Sequence, residues 1–272
     1  MMVLVYITNR KSEDSEINSF KYEYVGYSIN NTVQEGGKLY IDAASVSRDT
    51  TIESGGIEFV QNLSSSEYAT VKKGGKQIVE SGENAEGAKI YGGDQIILGK
   101  GGLGTGLSRK EKESSAYNTE IYAEDGILGL QNVYSGAMVV DTKVMKGGVQ
   151  NLDGKENFNN GFSEDTDTAD TENEGFTINE GAVALRSGLF KNDAQNILAE
   201  GNASEVTLYD RATQKIYDSG YTDDLTINHQ AQSWVFAGAM LEGKIKIHDW
   251  GQVHLYAGNN SFYTEYKIIR QQ

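Results

Sequence analysis

The acidic run between residues 164 and 172 is the segment whose residue types could most readily hold a cation. Its sequence, Glu164-Asp165-Thr166-Asp167-Thr168-Ala169-Asp170-Thr171-Glu172, alternates carboxylates with small residues, and Ca²⁺ prefers carboxylate oxygens as ligands. The run lacks the glycine and the terminal glutamate spacing of a calcium-binding loop. We therefore interpret it as a solvated acidic loop and predict no metal site there.

Three histidines, His229, His248 and His254, are the other candidate metal ligands. His248 and His254 would share one face of a straight strand, where they could ligate zinc or nickel. Trp250-Gly251 lies between them and predicts a turn, and the spacing matches no known site. We therefore expect ordinary surface histidines and predict no metal and no cofactor.

Residues for catalysis are not evident either. The segment Gly101-Gly102-Leu103-Gly104-Thr105-Gly106 lacks the Gly-Lys-Ser/Thr ending of a phosphate-binding loop, and the absence of cysteine excludes thiolate catalysis. Carboxylate pairs of the kind that polysaccharide lyases and hydrolases use carry little information here, because 39 acidic residues are spread along the chain. We predict a protein without catalytic residues.

The composition favours an elongated, stacked architecture over a compact globule. The 272 residues include 32 Gly but no Pro, and a residue without an N–H would break a ladder whose strands are bonded on both sides. The absence of Cys suits export through an oxidising compartment. The formal net charge of −15 argues against a nucleic-acid partner, since binding to phosphates depends on Lys and Arg.

An internal repeat provides the elements that would position any site. Three copies align without gaps and follow one another at a constant interval: Asn31-Thr32-Val33-Gln34-Glu35-Gly36-Gly37, Thr50-Thr51-Ile52-Glu53-Ser54-Gly55-Gly56 and Ala69-Thr70-Val71-Lys72-Lys73-Gly74-Gly75. In a fourth copy the pair Gly92-Gly93 arrives one residue early. Two apolar columns follow from the interval: Val33, Ile52, Val71 and Ile90, and Ile41, Val60, Val79 and Leu98.

One repeat unit is too short to bury its own apolar face, whereas stacked copies bury it against one another about 4.8 Å apart. We predict that both columns form the core of such a stack. The glycine pairs, which recur at Gly147-Gly148, would turn the corners with positive φ and without a Cβ colliding with the next coil. These glycines are predicted structural turns.

The fold class that we predict is all-β: a right-handed parallel β-helix, or solenoid, with coils of about 19 residues and two loop insertions. Residues 1–30 are predicted as an N-terminal cap or leading strand, 31–258 as the β-helix with regular repeats over 31–99, and 259–272 as a C-terminal cap or truncated continuation. The insertions are expected at about 100–118 and 153–175. Roughly 10 to 12 coils would make a rod about 50 to 60 Å long.

The repeat with Thr-(Val/Ile)-x-x-Gly-Gly and a later Val resembles the passenger repeats of AIDA-type autotransporter adhesins. The resemblance is strong over residues 31–99 and degenerate over 119–258. It implies a right-handed β-helix that mediates adhesion to host cells and bacterial autoaggregation, exported across the outer membrane and, in several members, glycosylated on Ser or Thr. Ser45, Ser47, Ser64 to Ser66 and Ser81 are chemically able to carry sugars, although exposed turn serines are the commoner case.

The function that we predict is a non-enzymatic bacterial surface adhesin or autoaggregation module. Its partners would be a glycan or protein of host-cell or bacterial surfaces, with self-association and without nucleic acid. Tyrosines on the outer surface could supply contacts, and Tyr117, Tyr122, Tyr134, Tyr209, Tyr217 and Tyr221 are the candidates, some of which the coil interior would bury. The expected location is the bacterial surface or the medium, with membrane anchoring through a segment absent from this chain. The alternatives are a polysaccharide-processing β-helix, such as a lyase, hydrolase or phage tailspike, and a passive stalk.

Overall fold

Strands and the turns between them make up the part of the chain that the structure, a computed structural model, describes: residues 4–8, 12–13, 16–17, 20–24, 26–80, 82–99, 114–134, 136–152, 162–164, 166–169, 176–248, 250–256 and 261–268. This part contains no helix that is long and apolar enough to cross a membrane. The strands are β1 Leu4–Thr8, β2 Ser12–Glu13, β3 Glu16–Ile17, β4 Phe20–Tyr24, β5 Tyr27–Ile29, β6 Thr32–Val33, β7 Lys38–Asp42, β8 Val46–Arg48, β9 Thr51–Ile52, β10 Ile57–Val60, β11 Ser65–Glu67, β12 Thr70–Val71, β13 Lys76–Val79, β14 Asn84–Glu86, β15 Lys89–Tyr91, β16 Asp94–Ile97, β17 Ser114–Tyr117, β18 Glu120–Tyr122, β19 Gly129–Val133, β20 Ala137–Val140, β21 Lys143–Val144, β22 Gly148–Leu152, β23 Phe162–Glu164, β24 Asp167–Ala169, β25 Phe176–Ile178, β26 Val183–Leu185, β27 Gly188–Phe190, β28 Ala194–Ile197, β29 Asn202–Leu208, β30 Thr213–Ile216, β31 Tyr221–Ile227, β32 Gln232–Val235, β33 Met240–Ile247, β34 Gln252–Leu255 and β35 Ser261–Ile268.

These strands stack in parallel ladders. Sheet A contains 13 strands in the order β1-β4-β7-β10-β13-β16-β19-β22-β25-β28-β30-β32-β34. The other strands form two ladders of short strands that join where β26 and β27 both pair with β29, and a single ladder of longer strands continues through β31, β33 and β35. The predicted parallel β-helix is confirmed, with coils about 19 residues apart.

The coil length is constant from Lys38 to Lys76 and departs from that value most between β16 and β19 and between β22 and β25. The first coils are shorter, since Leu4 pairs with Phe20 and Phe20 with Lys38. Lys38, Ile57 and Lys76 are successive ladder partners at one constant interval, whereas Asp94 pairs with Leu130 and Gln150 with Phe176. The predicted insertion 100–118 contains β17 at its end, and 153–175 contains β23 and β24; residues 100–113, 153–161, 165 and 170–175 lie outside the described residues. The segments predicted as caps contribute β1, β4 and β35 to the same ladders.

Two aliphatic columns form much of the core. Val33, Ile52, Val71 and Ile90 are successive ladder partners and are fully buried, as are Ile41, Val60 and Val79. The second column continues at Ile97, which pairs with Val79, so the prediction of Leu98 needs a correction of one residue. Leu98 is half-buried. The cause is the fourth copy of the repeat, because the coil from Lys76 to Asp94 is one residue shorter than the two coils between Lys38 and Lys76.

A polar column lies inside the solenoid beside these apolar ones. Fully buried amides bond one another from coil to coil: the Nε2 groups of Gln77, Gln95, Gln131 and Gln150 donate at 2.7–2.8 Å to the preceding residue, beginning at Glu58. Each amide both donates and accepts, so the chain of bonds satisfies side chains that would otherwise be costly to bury. Phe176 replaces the amide at the next ladder position.

The two glycines of a corner have different tasks. Gly55 has φ +75°, a left-handed conformation that other residues adopt only with strain. Gly56 lies so close to the preceding coil that a Cβ there would come within 2.3 Å of the carbonyl oxygen of Val33. The first glycine thus makes the turn and the second permits the stacking.

Candidate functional site

The predicted acidic run is partly built into the solenoid. Glu164, in β23, forms an ion pair with Arg186 of the next coil, and Thr166 is fully buried. Asp167, in β24, lies on the outer surface. Asp165 and residues 170–172 lie outside the described residues. Within the described part of the chain, no group of three or more acidic, His or Cys side chains is arranged to hold a metal ion.

An open groove of about 510 Å³ lies along the ladder that β29, β31 and β33 form. The ladder bends there, because Glu205, Asp224 and Gly243 have φ between +53° and +74°. The lining of the groove contains both carboxylates and cations: Asp167, Glu205 and Asp224 among the former, Arg186, Lys244 and Lys246 among the latter. A stacked pair of rings, Phe190 and Tyr209 at 4.6 Å, forms one wall. Such a lining can hydrogen-bond a polar ligand of either charge.

A second concave surface lies at the corner that leads into sheet A in the last four coils, and we call it the corner ridge. Its exposed turn residues are Lys191, Asn192, Asp210, Arg211, His229, Gln230 and Trp250. They line a groove of about 610 Å³, and a neighbouring groove of about 350 Å³ extends to Gln232 and Gln252. The indole of Trp250 is 84% exposed.

The corner ridge has a strained backbone. All seven of its turn residues have φ between +44° and +68°. Asn, Asp and His tolerate this region, whereas Arg211, Gln230 and Trp250 do not favour it, and the left-handed conformation costs an ordinary residue about 1–2 kcal/mol. Hydrogen bonds between coils hold it in place, as where the Arg211 N–H donates to the His229 carbonyl at 3.0 Å. Left-handed non-glycine residues also occur at other corners of the solenoid, among them Asn30, Asp49 and Tyr68, so the strain alone does not mark the ridge as a functional site.

Aromatic side chains stack from coil to coil on the outer face of sheet A. Tyr217, Phe236 and Tyr256 form a continuous pile with ring centroids 4.9–5.0 Å apart, and Trp234 stacks on His254 at 4.2 Å. Ring faces inside the pile are covered by neighbours, so the edges face solvent. The piles stiffen the surface and leave few ring faces available to a ligand.

The six tyrosines predicted as contact residues do not form one patch. Tyr122 stacks on Tyr91, Tyr209 on Phe190, and Tyr217 on Phe236. Tyr221 donates to Glu242, Tyr117 is half-buried, and Tyr134 is 41% exposed. Desolvation and a hydrogen bond to Glu120 raise the pKa of Tyr122 to about 12, and desolvation with Asp223 and Glu242 nearby raises that of Tyr221 to about 12.

The histidines and serines singled out in the sequence have different surroundings. His229 belongs to the corner ridge, His254 to the aromatic pile on Trp234, and His248 is half-buried in the turn after β33. Ser45, Ser47, Ser64 and Ser66 are buried, so they are not the exposed turn serines expected from the sequence. Ser65 is half-buried, and Ser81 lies outside the described residues.

Sequence reasoning missed the corner ridge because its turns contain none of the expected glycine pairs. A signal was nevertheless present. In early coils, Glu35-Gly36 and Ser54-Gly55 occupy the third and second positions before a strand of sheet A. The same two positions are held in late coils by Asp210-Arg211, His229-Gln230 and Asp249-Trp250. Aligning the late coils on their strands, and not on glycine, would have revealed the ridge.

Comparisons with known proteins place the fold. No protein-family model and no curated protein sequence matches the chain. A solved structure, the crystal structure of a TibC-catalyzed hyper-glycosylated TibA55-350 fragment, matches with a TM-score of 0.59 and 21% sequence identity over 97% of this chain and 97% of that chain. That fragment is an autotransporter passenger of the AIDA type, the family that the repeat resembles. The resemblance is therefore confirmed at the level of the fold, a parallel β-solenoid.

Proposed function

We propose that this protein is an adhesin module, a rigid rod that binds a glycan or protein of host-cell or bacterial surfaces without chemically changing it. The observation that carries the proposal is the repetition of exposed polar side chains along successive coils, as in the corner ridge and the groove beside β31. Many weak contacts, multiplied over many copies on one surface, give strong attachment. The shared fold with an adhesin passenger supports this function and a location at the bacterial surface or in the medium.

Attachment of coated beads tests the proposal. Beads coated with the purified chain are mixed with epithelial cells and, separately, with one another. We expect attachment to cells or clumping above the level of beads coated with the heat-unfolded chain. Equal attachment and clumping by both preparations would refute an adhesin.

A polysaccharide-processing enzyme is the second candidate, and the groove beside β31 favours it. Asp167, Glu205 and Asp224 line this groove together with Lys244, and carboxylates beside a cation can serve in acid–base cleavage of a glycan. An Asp224→Asn variant separates the two functions. Loss of a cleavage product with unchanged attachment would indicate an enzyme, and attachment without any product indicates an adhesin.

A further inference from the structure

The corner ridge occupies a position at which five earlier coils have glycine. This position lies two residues before the residue of sheet A that aligns with Lys38. It holds Gly36, Gly55, Gly74, Gly92 and Gly147 in those five coils, and Asn192, Arg211, Gln230 and Trp250 in the last four. These nine residues have φ between +61° and +75°, whereas Leu128, which holds the position in the coil of β19, is not left-handed. Glycine is thus sufficient to make this turn, and the side chains of the ridge are not needed for it.

The four side chains form a row along the rod axis. Successive coils are about 4.8 Å apart, so the row from Asn192 to Trp250 spans roughly 14 Å. A row of this length suits a short extended oligosaccharide that lies along the rod. All four side chains are exposed, and no described aromatic ring stacks on Trp250.

The chemistry of the row suits a sugar chain. The exposed indole of Trp250 presents an apolar face to the C–H face of a pyranose. Gln230, Gln232 and Gln252 line the adjoining groove, and each amide can donate to one hydroxyl and accept from its neighbour. These are the contacts that a ring with adjacent hydroxyls requires.

The charged side chains of the ridge determine which class of sugar it would favour. The chain has a net charge of −15, whereas the described residues of the ridge include two cations, Lys191 and Arg211, and one carboxylate, Asp210. In the described part of the chain the Arg211 guanidinium has no ion pair. A planar guanidinium recognises a carboxylate through two parallel hydrogen bonds.

We infer that the corner ridge binds an acidic oligosaccharide, with a sugar ring on Trp250 and a sugar carboxylate on Arg211. This inference rests on the proposed function and names the class of surface ligand.

Calorimetry with three acidic probes tests the inference: hyaluronan hexasaccharide, oligoguluronate and a sialylated trisaccharide, with chitohexaose as the neutral probe. We expect at least one acidic probe to bind about tenfold more tightly than chitohexaose. Arg211→Gln should remove that preference. Absence of binding by all three acidic probes, or equal binding of chitohexaose, would overturn the inference.

Trp250→Gly separates binding from folding. Glycine adopts the left-handed conformation freely, so this variant should melt at the same temperature as the unchanged chain or higher, while its affinity for the acidic probe falls about tenfold or more. Tyr68→Gly is the matched control, because Tyr68 also has positive φ (+56°) and is 52% exposed, at a different corner; its affinity should not change. If Trp250→Gly binds the acidic probe as tightly as the unchanged chain does, the corner ridge is not the binding site. Bead attachment by the unchanged chain tests the adhesin function independently of that result.

Discussion

Replacing Glu58 by Gln should make the protein more stable at neutral pH and remove a steep dependence of its stability on pH. Glu58 is fully buried and begins the interior amide column. Its Oε2 accepts from Gln77 at 2.8 Å and from Ser66 at 3.0 Å, while Ser47 and Thr50 are its other polar neighbours. Burial raises the pKa of this carboxyl, since the hydrogen bonds offset only part of the lost hydration.

The sign of the effect follows from proton binding. In the unfolded chain the carboxyl has a pKa of about 4.3. At pH values above this pKa and below the raised pKa of the folded state, the folded protein binds more protons than the unfolded chain does. The stability that the protonated carboxyl contributes is therefore complete below about pH 4 and is lost as the pH rises, at about 1.4 kcal/mol for each pH unit within this interval.

The amide of Glu58→Gln keeps the acceptor for Gln77 and offers an N–H to the Ser47 or Thr50 hydroxyl without ionising. The free energy of unfolding in urea, measured from pH 4 to pH 8, should therefore fall less steeply for the variant than for the unchanged chain. Glu53→Gln is the control, since Glu53 is partly exposed beside Lys72, and it should shift stability by less than about 0.5 kcal/mol. Parallel curves for Glu58→Gln and the unchanged chain would refute a buried carboxyl with a raised pKa.

Three further predictions concern the corners, the core and the outer face. Gly56→Ala should cost about 3 kcal/mol, because its Cβ would collide with a carbonyl of the preceding coil, whereas Gly36→Ala meets open space and should cost about 1–2 kcal/mol for its φ of +75°; equal losses in urea unfolding would contradict this division. Ile97→Ala should cost about 2–5 kcal/mol and Leu98→Ala less than about 1 kcal/mol, and the reverse order would show that the register is wrong. The pKa of Tyr122 is about 12 in the folded protein and about 10 in the unfolded chain, so its phenol stabilises the fold below pH 10 and this contribution is lost between pH 10 and 12. In an ultraviolet titration, Tyr122→Phe should lack one phenol that ionises late. Loss of a phenol that ionises early would be inconsistent with the hydrogen bond to Glu120.

The fold could be predicted because the repeat is strict where the chain stacks most regularly. A Val or Ile that recurs once in every coil, as at Val33, Ile52 and Val71, must face the interior each time. A fixed interval failed at Leu98, since the fourth copy of the repeat shortens its coil by one residue. The early arrival of Gly92-Gly93 already indicated that change of length.

The interior amide column could have been found by the same reasoning. Gln77 and Gln95 stand two residues before Val79 and Ile97, and side chains two apart on a strand share a face. The sequence analysis makes no prediction for these glutamines, although a ladder of amides can satisfy its own hydrogen bonds inside a solenoid. Predicting the corner ridge would have required the register of the late coils, and the insertions before those coils obscure this register in the sequence.

The attachment of beads coated with this chain to epithelial cells, or to each other, tests the central claim most directly. If the outer surface of the solenoid binds cell surfaces, coated beads should attach or clump well above beads that carry the heat-unfolded chain. Equal behaviour of folded and unfolded coatings in both mixtures would contradict the account.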